Sequence, residues 1–335
     1  MKKQVTLLTL LALAAMITVG CGVASHNSFS KLPFSSDRES NPSTPLFLMN
    51  LDGSNVTPVS YDLDNFYSPS ISADLKTIAV VSFPNVWVSN ADGTVQTQLT
   101  TFTDDDNDGF SYAFYARISP NGKKIIYSTW DGDEEVNSVW MMNSDGTGKV
   151  NLTATPPADM RGCYSGSFSS DSSKIAFNCF GEFGYSVFVA NADGSNATSV
   201  VPETSSGFVD SPLFSPDGKK ILFLGYNFTP DAARMGNATP VHRPSLTAMR
   251  AGAHSHKGEG ISGPTGVFSV NLDGTNDVLV VPNAFEAIII NSTLYYTIGD
   301  NELELNQIWK SNIDGSGAVS VSDGTANDRL ALEVD

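Results

Sequence analysis

One nine-residue phrase recurs six times along the chain: an aliphatic residue, an aromatic residue, two variable positions, then Asn-x-Asp-Gly and usually a hydroxyl residue. The copies begin at Leu46-Phe47, Val86-Trp87, Val139-Trp140, Val187-Phe188, Val267-Phe268 and Ile308-Trp309. They reach their turns at Asp52-Gly53, Asp92-Gly93, Asp145-Gly146, Asp193-Gly194, Asp273-Gly274 and Asp314-Gly315. Self-similarity at this period belongs to solenoids, propellers and arrays, so it restricts the fold before any single residue is considered. Aliphatic-aromatic pairs favour strands, and Asp-Gly between such runs marks a hairpin because glycine accepts positive φ.

A second kind of hairpin alternates with the first. It is clearest at Phe214-Ser215-Pro216-Asp217-Gly218-Lys219-Lys220-Ile221 and Ile118-Ser119-Pro120-Asn121-Gly122-Lys123-Lys124-Ile125, with weaker versions at 72–79, 169–176 and, much shortened, 291–294. Proline suits the first turn position, and Asp or Asn followed by Gly suits the next two. Two hairpins per period give four strands in about 40 residues, the size of one propeller blade. No stretch of comparable length carries a helical period.

The alternation of Ser-Pro-Asp-Gly-Lys-Lys-Ile with Val-Trp/Phe-x-x-Asn-x-Asp-Gly resembles the TolB-like, WD40-like β-propeller repeat of bacterial exported proteins, over about residues 45–320. The resemblance implies an all-β, six-bladed propeller with four-stranded antiparallel blades. The order of the phrases predicts closure by mixed termini: the strand at 328–334 lies innermost in the blade begun by 46–60. Whether that blade has its second strand is left open by the sequence.

The first 44 residues read differently. Lys2 and Lys3 precede an apolar run from Val5 to Val19, too short for a membrane-spanning helix, and Ile17-Thr18-Val19-Gly20-Cys21 resembles a bacterial lipobox. The expectation is a lipoprotein signal peptide over 1–20, a lipidated Cys21, a Ser-, Asn- and Pro-rich flexible tether over 21–44, and the propeller over 45–335. Gly22 after the lipidated cysteine favours the outer membrane, facing the periplasm or the exterior. Export also permits a disulfide, and the hairpins set Cys163 nearly opposite Cys179; a cross-strand bridge and two buried thiols are the alternatives.

The formal charge is −17, with 36 acidic against 19 basic residues, and loss of Lys2 and Lys3 makes it more negative. Nucleic acid is excluded as a partner, because phosphate binding needs a basic footprint. In a propeller both hairpin types fall on one face, and the connections from strand 2 to 3 and from blade to blade fall on the other. Every long or chemically odd segment falls on that second face. Asp104-Asp105-Asp106-Asn107-Asp108-Gly109 opens like a calcium loop, with Asp104, Asp106 and Asp108 as Ca²⁺ ligands, although Tyr115 stands where an EF-hand needs Glu. A solvated acidic turn is the other reading. The neighbouring loop bears Asp131, Asp133 and Glu134. A long insertion at about 229–263 carries His242, His254 and His256, and forms either a cover for the channel mouth or a disordered loop.

No Gly-x-Ser-x-Gly elbow appears and no nucleophile stands in motif context. The expected function is therefore a lipid-anchored, monomeric envelope module that binds or scaffolds a protein or glycan. The alternative is a metal-dependent polysaccharide lyase or hydrolase using the face that bears the insertion.

Overall fold

The computed structural model describes residues 30–36, 46–59, 66–103, 111–204, 207–226, 228, 265–300 and 305–330. These form 24 strands in six four-stranded antiparallel sheets, with no helix among them. Blades 2 to 6 follow chain order. Their first and innermost strands are β4 (Phe66–Ile71), β8 (Tyr112–Ile118), β12 (Met160–Phe168), β16 (Phe208–Phe214) and β20 (Ala284–Ile290).

Blade 1 joins the two ends of the chain. β24 (Asp328–Arg329) is innermost, followed by β1 (Lys31–Ser36), β2 (Leu46–Asn50) and β3 (Thr57–Val59). The ring thus closes through its terminal strands, as the repeat order predicts. The tether expected over 21–44 is corrected by this arrangement: residues 31–36 of it are the second strand of blade 1, and the propeller begins at Lys31 rather than at residue 45. Five of those six residues are buried, Leu32 and Phe34 completely. Six residues with two large apolar side chains fill a strand position, and the flanking Ser and Pro mask so short a run in the composition. Cys21 lies outside the described residues.

The hydrophobic core is divided into six clusters, and each lies between two adjacent blades. Val81 and Val86 of blade 2, for example, pack with Ile125 and Met142 of blade 3. The seam between blades 6 and 1 is built in the same way, from Leu32, Phe34, Phe47 and Met49 with Ile290, Tyr295 and Ile308. Burial of apolar area is worth roughly 25 cal/mol per Å². A blade alone leaves both its faces exposed, so closure of the ring is what places these side chains out of water.

The Asn-x-Asp-Gly phrase is explained by its hydrogen bonds. In the turn at Asn50, the Ser54 hydroxyl and backbone N–H both donate to Asp52 Oδ1, at 2.6 and 2.9 Å, and Asn50 Nδ2 donates to Ser54 Oγ at 2.8 Å. The hydroxyl-to-carboxylate bond recurs at Asp92, Asp145, Asp193, Asp273 and Asp314. It is the main cause that holds each of these carboxyls below the usual Asp pKa. The six repeated aspartates are therefore turn-builders rather than a ligand set.

The glycine in the phrase has a second task. Gly53 has φ +92°, and a methyl group there would fall on the Val321 carbonyl oxygen of blade 6. Gly315 of blade 6 stands likewise against the Val280 carbonyl oxygen on the outermost strand of blade 5. Gly218, in an inner turn, has φ +67° but nothing within 4 Å. Gly218→Ala should thus cost only the backbone strain, about 1–2 kcal/mol. Gly53→Ala should lower the thermal midpoint further, because it also forces two blades apart. Equal midpoints for the two variants in a melting experiment would contradict this account of the seam.

Candidate functional site

The two faces of the disc differ chemically. All the described lysines, at 31, 76, 123, 124, 149, 174, 219, 220 and 310, lie at or beside the hairpin turns of one face. The opposite face, formed by the loops, carries Asp131, Asp133, Glu134, Glu135, Asp159, Glu182 and Glu203, with Arg161 as its described basic residue. Arg161 meets Glu182 at 3.4 Å with both side chains over half exposed, a pair worth little.

Of the site residues expected from sequence, Asp131, Asp133 and Glu134 share one turn on the loop face. Asp131 Oδ1 accepts from the backbone N–H of Asp133 at 3.0 Å and of Glu134 at 3.2 Å, so it shapes the turn while Asp133 and Glu134 stand exposed. Cys163 and Cys179 are register partners on β12 and β13 (Lys174–Gly181), and they are joined as a disulfide, both fully buried. Asp104, Asp106, Asp108, His242, His254 and His256 lie outside the described residues. The insertion leaves and returns on the loop face, since Gly225 pairs with Gly266. Among the described residues no group of three or more His, Cys, Asp or Glu could hold a metal.

A different set of residues meets at the axis. In four innermost strands a β-bulge places a non-glycine residue in the left-handed region: Ser68 (φ 56°), Tyr115 (54°), Ser165 (49°) and Ser211 (49°). Each stands four residues ahead of a turn serine, at Ser72, Ser119, Ser169 or Ser215. Such bulges re-aim a side chain, and strain of this kind gathers at functional positions. Tyr115 of blade 3 reaches past blade 4 and donates from its hydroxyl to Asp210 Oδ2 of blade 5 at 3.1 Å. That bond links two innermost strands that are not neighbours in the ring.

Asp210 is buried, 2% exposed. Its Oδ1 accepts from the Ser211 backbone N–H at 2.6 Å and from Asn178 Nδ2 at 3.3 Å, and Ser165 adds a further side-chain hydrogen bond. Desolvation outweighs these bonds and the nearby Arg117 charge, and it raises the Asp210 pKa to about 6. Arg117, two residues beyond Tyr115, makes no ion pair with Asp210; its Nη1 donates at 3.4 Å to the Pro69 carbonyl. Burial pushes the Arg117 guanidinium down from its usual pKa, with Tyr115 and Asp210 acting the other way. Burial likewise raises Tyr164 and, to about 12, Tyr185. The cluster thus holds one carboxyl able to exchange a proton near neutrality and one guanidinium beside it.

Sequence reasoning passed over this cluster because Tyr, Arg, Asn and Asp in separate strands carry no spacing signal of their own. The usable signal was the frame of the inner hairpin: counting back from each turn serine fixes the positions that face the axis.

Neither a protein-family model nor a curated protein matches the sequence. Among solved structures, the chain is similar to TolB from Acinetobacter baumannii, with a TM-score of 0.63 and 14% identity over 90% of this chain and 66% of that one. It is similar to a putative TolB from Agrobacterium tumefaciens, with a TM-score of 0.58 and 15% identity over 91% of this chain and 100% of that one. The fold is TolB-like. At these identities the likeness is one of architecture, and the six-bladed ring with alternating hairpins is its content. A structure of a nidogen/laminin complex contains a similar chain, with a TM-score of 0.57 and 10% identity over 86% of this chain and 91% of that one. The TolB-like propeller described here covers slightly under two thirds of the Acinetobacter protein's length.

Proposed function

We propose that this chain is a lipid-anchored binding module of the bacterial envelope, which docks a protein partner on its loop face. The observation that carries the reading is the inequality of the two faces. The turn face is uniform, and its repeated carboxylates are consumed by their own turns. The loop face is irregular and acidic and bears an exposed aromatic side chain, Phe183. A regular framework with variable loops suits a scaffold that presents one surface. TolB-like neighbours from bacteria and a neighbour found in a nidogen/laminin complex are compatible with protein binding.

The start of β1 supports an orientation. Lys31 pairs with Asn50 at the rim of the turn face, so the chain enters the disc from that side. With about 3.5 Å per residue, a lipid on Cys21 would hold that face within roughly 35 Å of the bilayer. Two or three acyl chains would suffice for stable anchoring. The loop face then points away from the membrane.

A photo-crosslinking amino acid tests the reading in cells. Placed at Phe183, 43% exposed on the loop face, it should capture a discrete protein species. Placed at Val95, 63% exposed beside a turn, it should not. Equal capture from both positions, or capture from Val95 alone, would refute the assignment of faces.

A further inference from the structure

The bulge residues of the innermost strands share one backbone conformation and one place in the strand. Tyr115 and Ser165 both direct their side chains to Asp210 at the axis. Ser68 occupies the equivalent place in blade 2, with the same left-handed backbone, and is 4% exposed. Its hydroxyl has no hydrogen-bond partner. A buried hydroxyl without a protein partner costs on the order of 1–3 kcal/mol, so pairing it with a ligand atom is favourable. The next residue of the same strand is Pro69, whose carbonyl takes the hydrogen bond of the Arg117 side chain. A guanidinium has five N–H donors in a planar fork. Ser68 and Arg117 therefore bring unfilled donors to the junction of the innermost strands of blades 2 and 3, with Tyr115 and Asp210 near enough to act on the Arg117 charge.

We infer that Ser68 and Arg117 form an axial binding site for a small carboxylate, held by the guanidinium fork and the serine hydroxyl. Arg117 offers only donors and the Ser68 hydroxyl can donate as well, so a ligand held between them supplies acceptors. A planar carboxylate matches the fork in a bidentate manner. The charge balance favours a single charge: Arg117 and Asp210 together are neutral, so repulsion by Asp210 largely offsets attraction by Arg117 for any anion, while the desolvation cost rises with the square of the charge and weighs most on a dianion such as hydrogen phosphate. Protonation of Asp210 removes that repulsion, so binding strengthens on acidification. The other titratable groups around Asp210 are Tyr115, Tyr164, Tyr185 and Arg117. Phenols and guanidinium groups titrate outside the range from pH 5 to 8, and burial moves Tyr164 and Tyr185 further from neutrality. This site is independent of the lipid anchor and of any partner on the loop face.

Calorimetric titration of the full chain with formate, and separately with inorganic phosphate, tests the inference. Formate should bind, more tightly at pH 5.5 than at pH 7.5, and phosphate should bind at least about tenfold more weakly at pH 7.5. Arg117→Gln should weaken formate by about tenfold or more while the protein remains folded by its thermal midpoint. Asp210→Asn should retain formate binding and lose the pH dependence. Absence of formate binding to the wild-type chain, undiminished binding to folded Arg117→Gln, or preference for phosphate would each overturn the site. If Arg117→Gln does not fold, the comparison of formate with phosphate at two pH values in the wild-type chain decides alone.

Discussion

Glu286→Ala should destabilise the propeller by about 3–5 kcal/mol and lower its thermal midpoint on the order of 10 °C. Glu286 on β20 receives Arg329 of β24 through Nε at 3.0 Å and Nη2 at 2.7 Å on Oε1, and the Leu330 backbone N–H at 3.0 Å on Oε2. Leu330 N–H also reaches Thr297 Oγ1 at 3.2 Å. The two side chains are 3% and 11% exposed, and Arg329 further packs over the Phe285 ring, 5.4 Å from its centroid. Alanine would take the Glu286 carboxylate away from a buried guanidinium and from the Leu330 N–H, and so loosen the last strand from blade 6. Because much of the penalty comes from separating a buried guanidinium from the Glu286 carboxylate, Glu286→Met combined with Arg329→Met should recover much of the loss. Thermal melts of the single and double variants check both statements. A wild-type midpoint for Glu286→Ala would remove Glu286 from the account of closure.

Asp210→Asn should change how stability depends on pH. The folded carboxyl keeps its proton up to about pH 6, while the unfolded one releases it near the ordinary aspartate value of 3.8. Between these values the folded state binds more protons, so raising the pH costs stability. The loss begins near pH 4 and is complete above about pH 6, with a size of about 3 kcal/mol. The amide in the variant cannot titrate, so its stability relative to wild type should improve by that amount between about pH 4 and pH 7.5. The turn aspartates act with the opposite sign, since their lowered pKa values make them lose stabilisation on acidification, but they cancel in the difference. Urea unfolding of both proteins at a series of pH values measures it. A difference that stays constant across that range would show that the buried carboxyl carries no such penalty.

The propeller was legible because its determinants are local and repeated. Asn50, Asp52, Gly53 and Ser54 make one turn within a single short segment, and the other copies confirm the reading along the chain. Closure by residues near Asp328 was also legible, from the lack of a clear inner hairpin ahead of Leu46 and the spare strand at the end. The strand at Lys31–Ser36 was hidden, since six residues among Ser, Asn and Pro carry no periodicity that separates strand from linker. The axial cluster was hidden for a different reason. Tyr115 and Asp210 are 95 residues apart, and the contact exists only because the ring brings blades 3 and 5 to a common centre. The acidic loops and histidines attracted notice as composition, but composition does not say which side chains converge.

Strand direction in blade 1 has one more result. β1 climbs from the lysine-bearing side at Lys31, and β24 descends toward that side from Asp328, its antiparallel partner being Ser36. The described chain thus starts on the turn face at Lys31 and is heading back toward it at Arg329, so its first and last described strands run in opposite senses through one blade and hold each other in register.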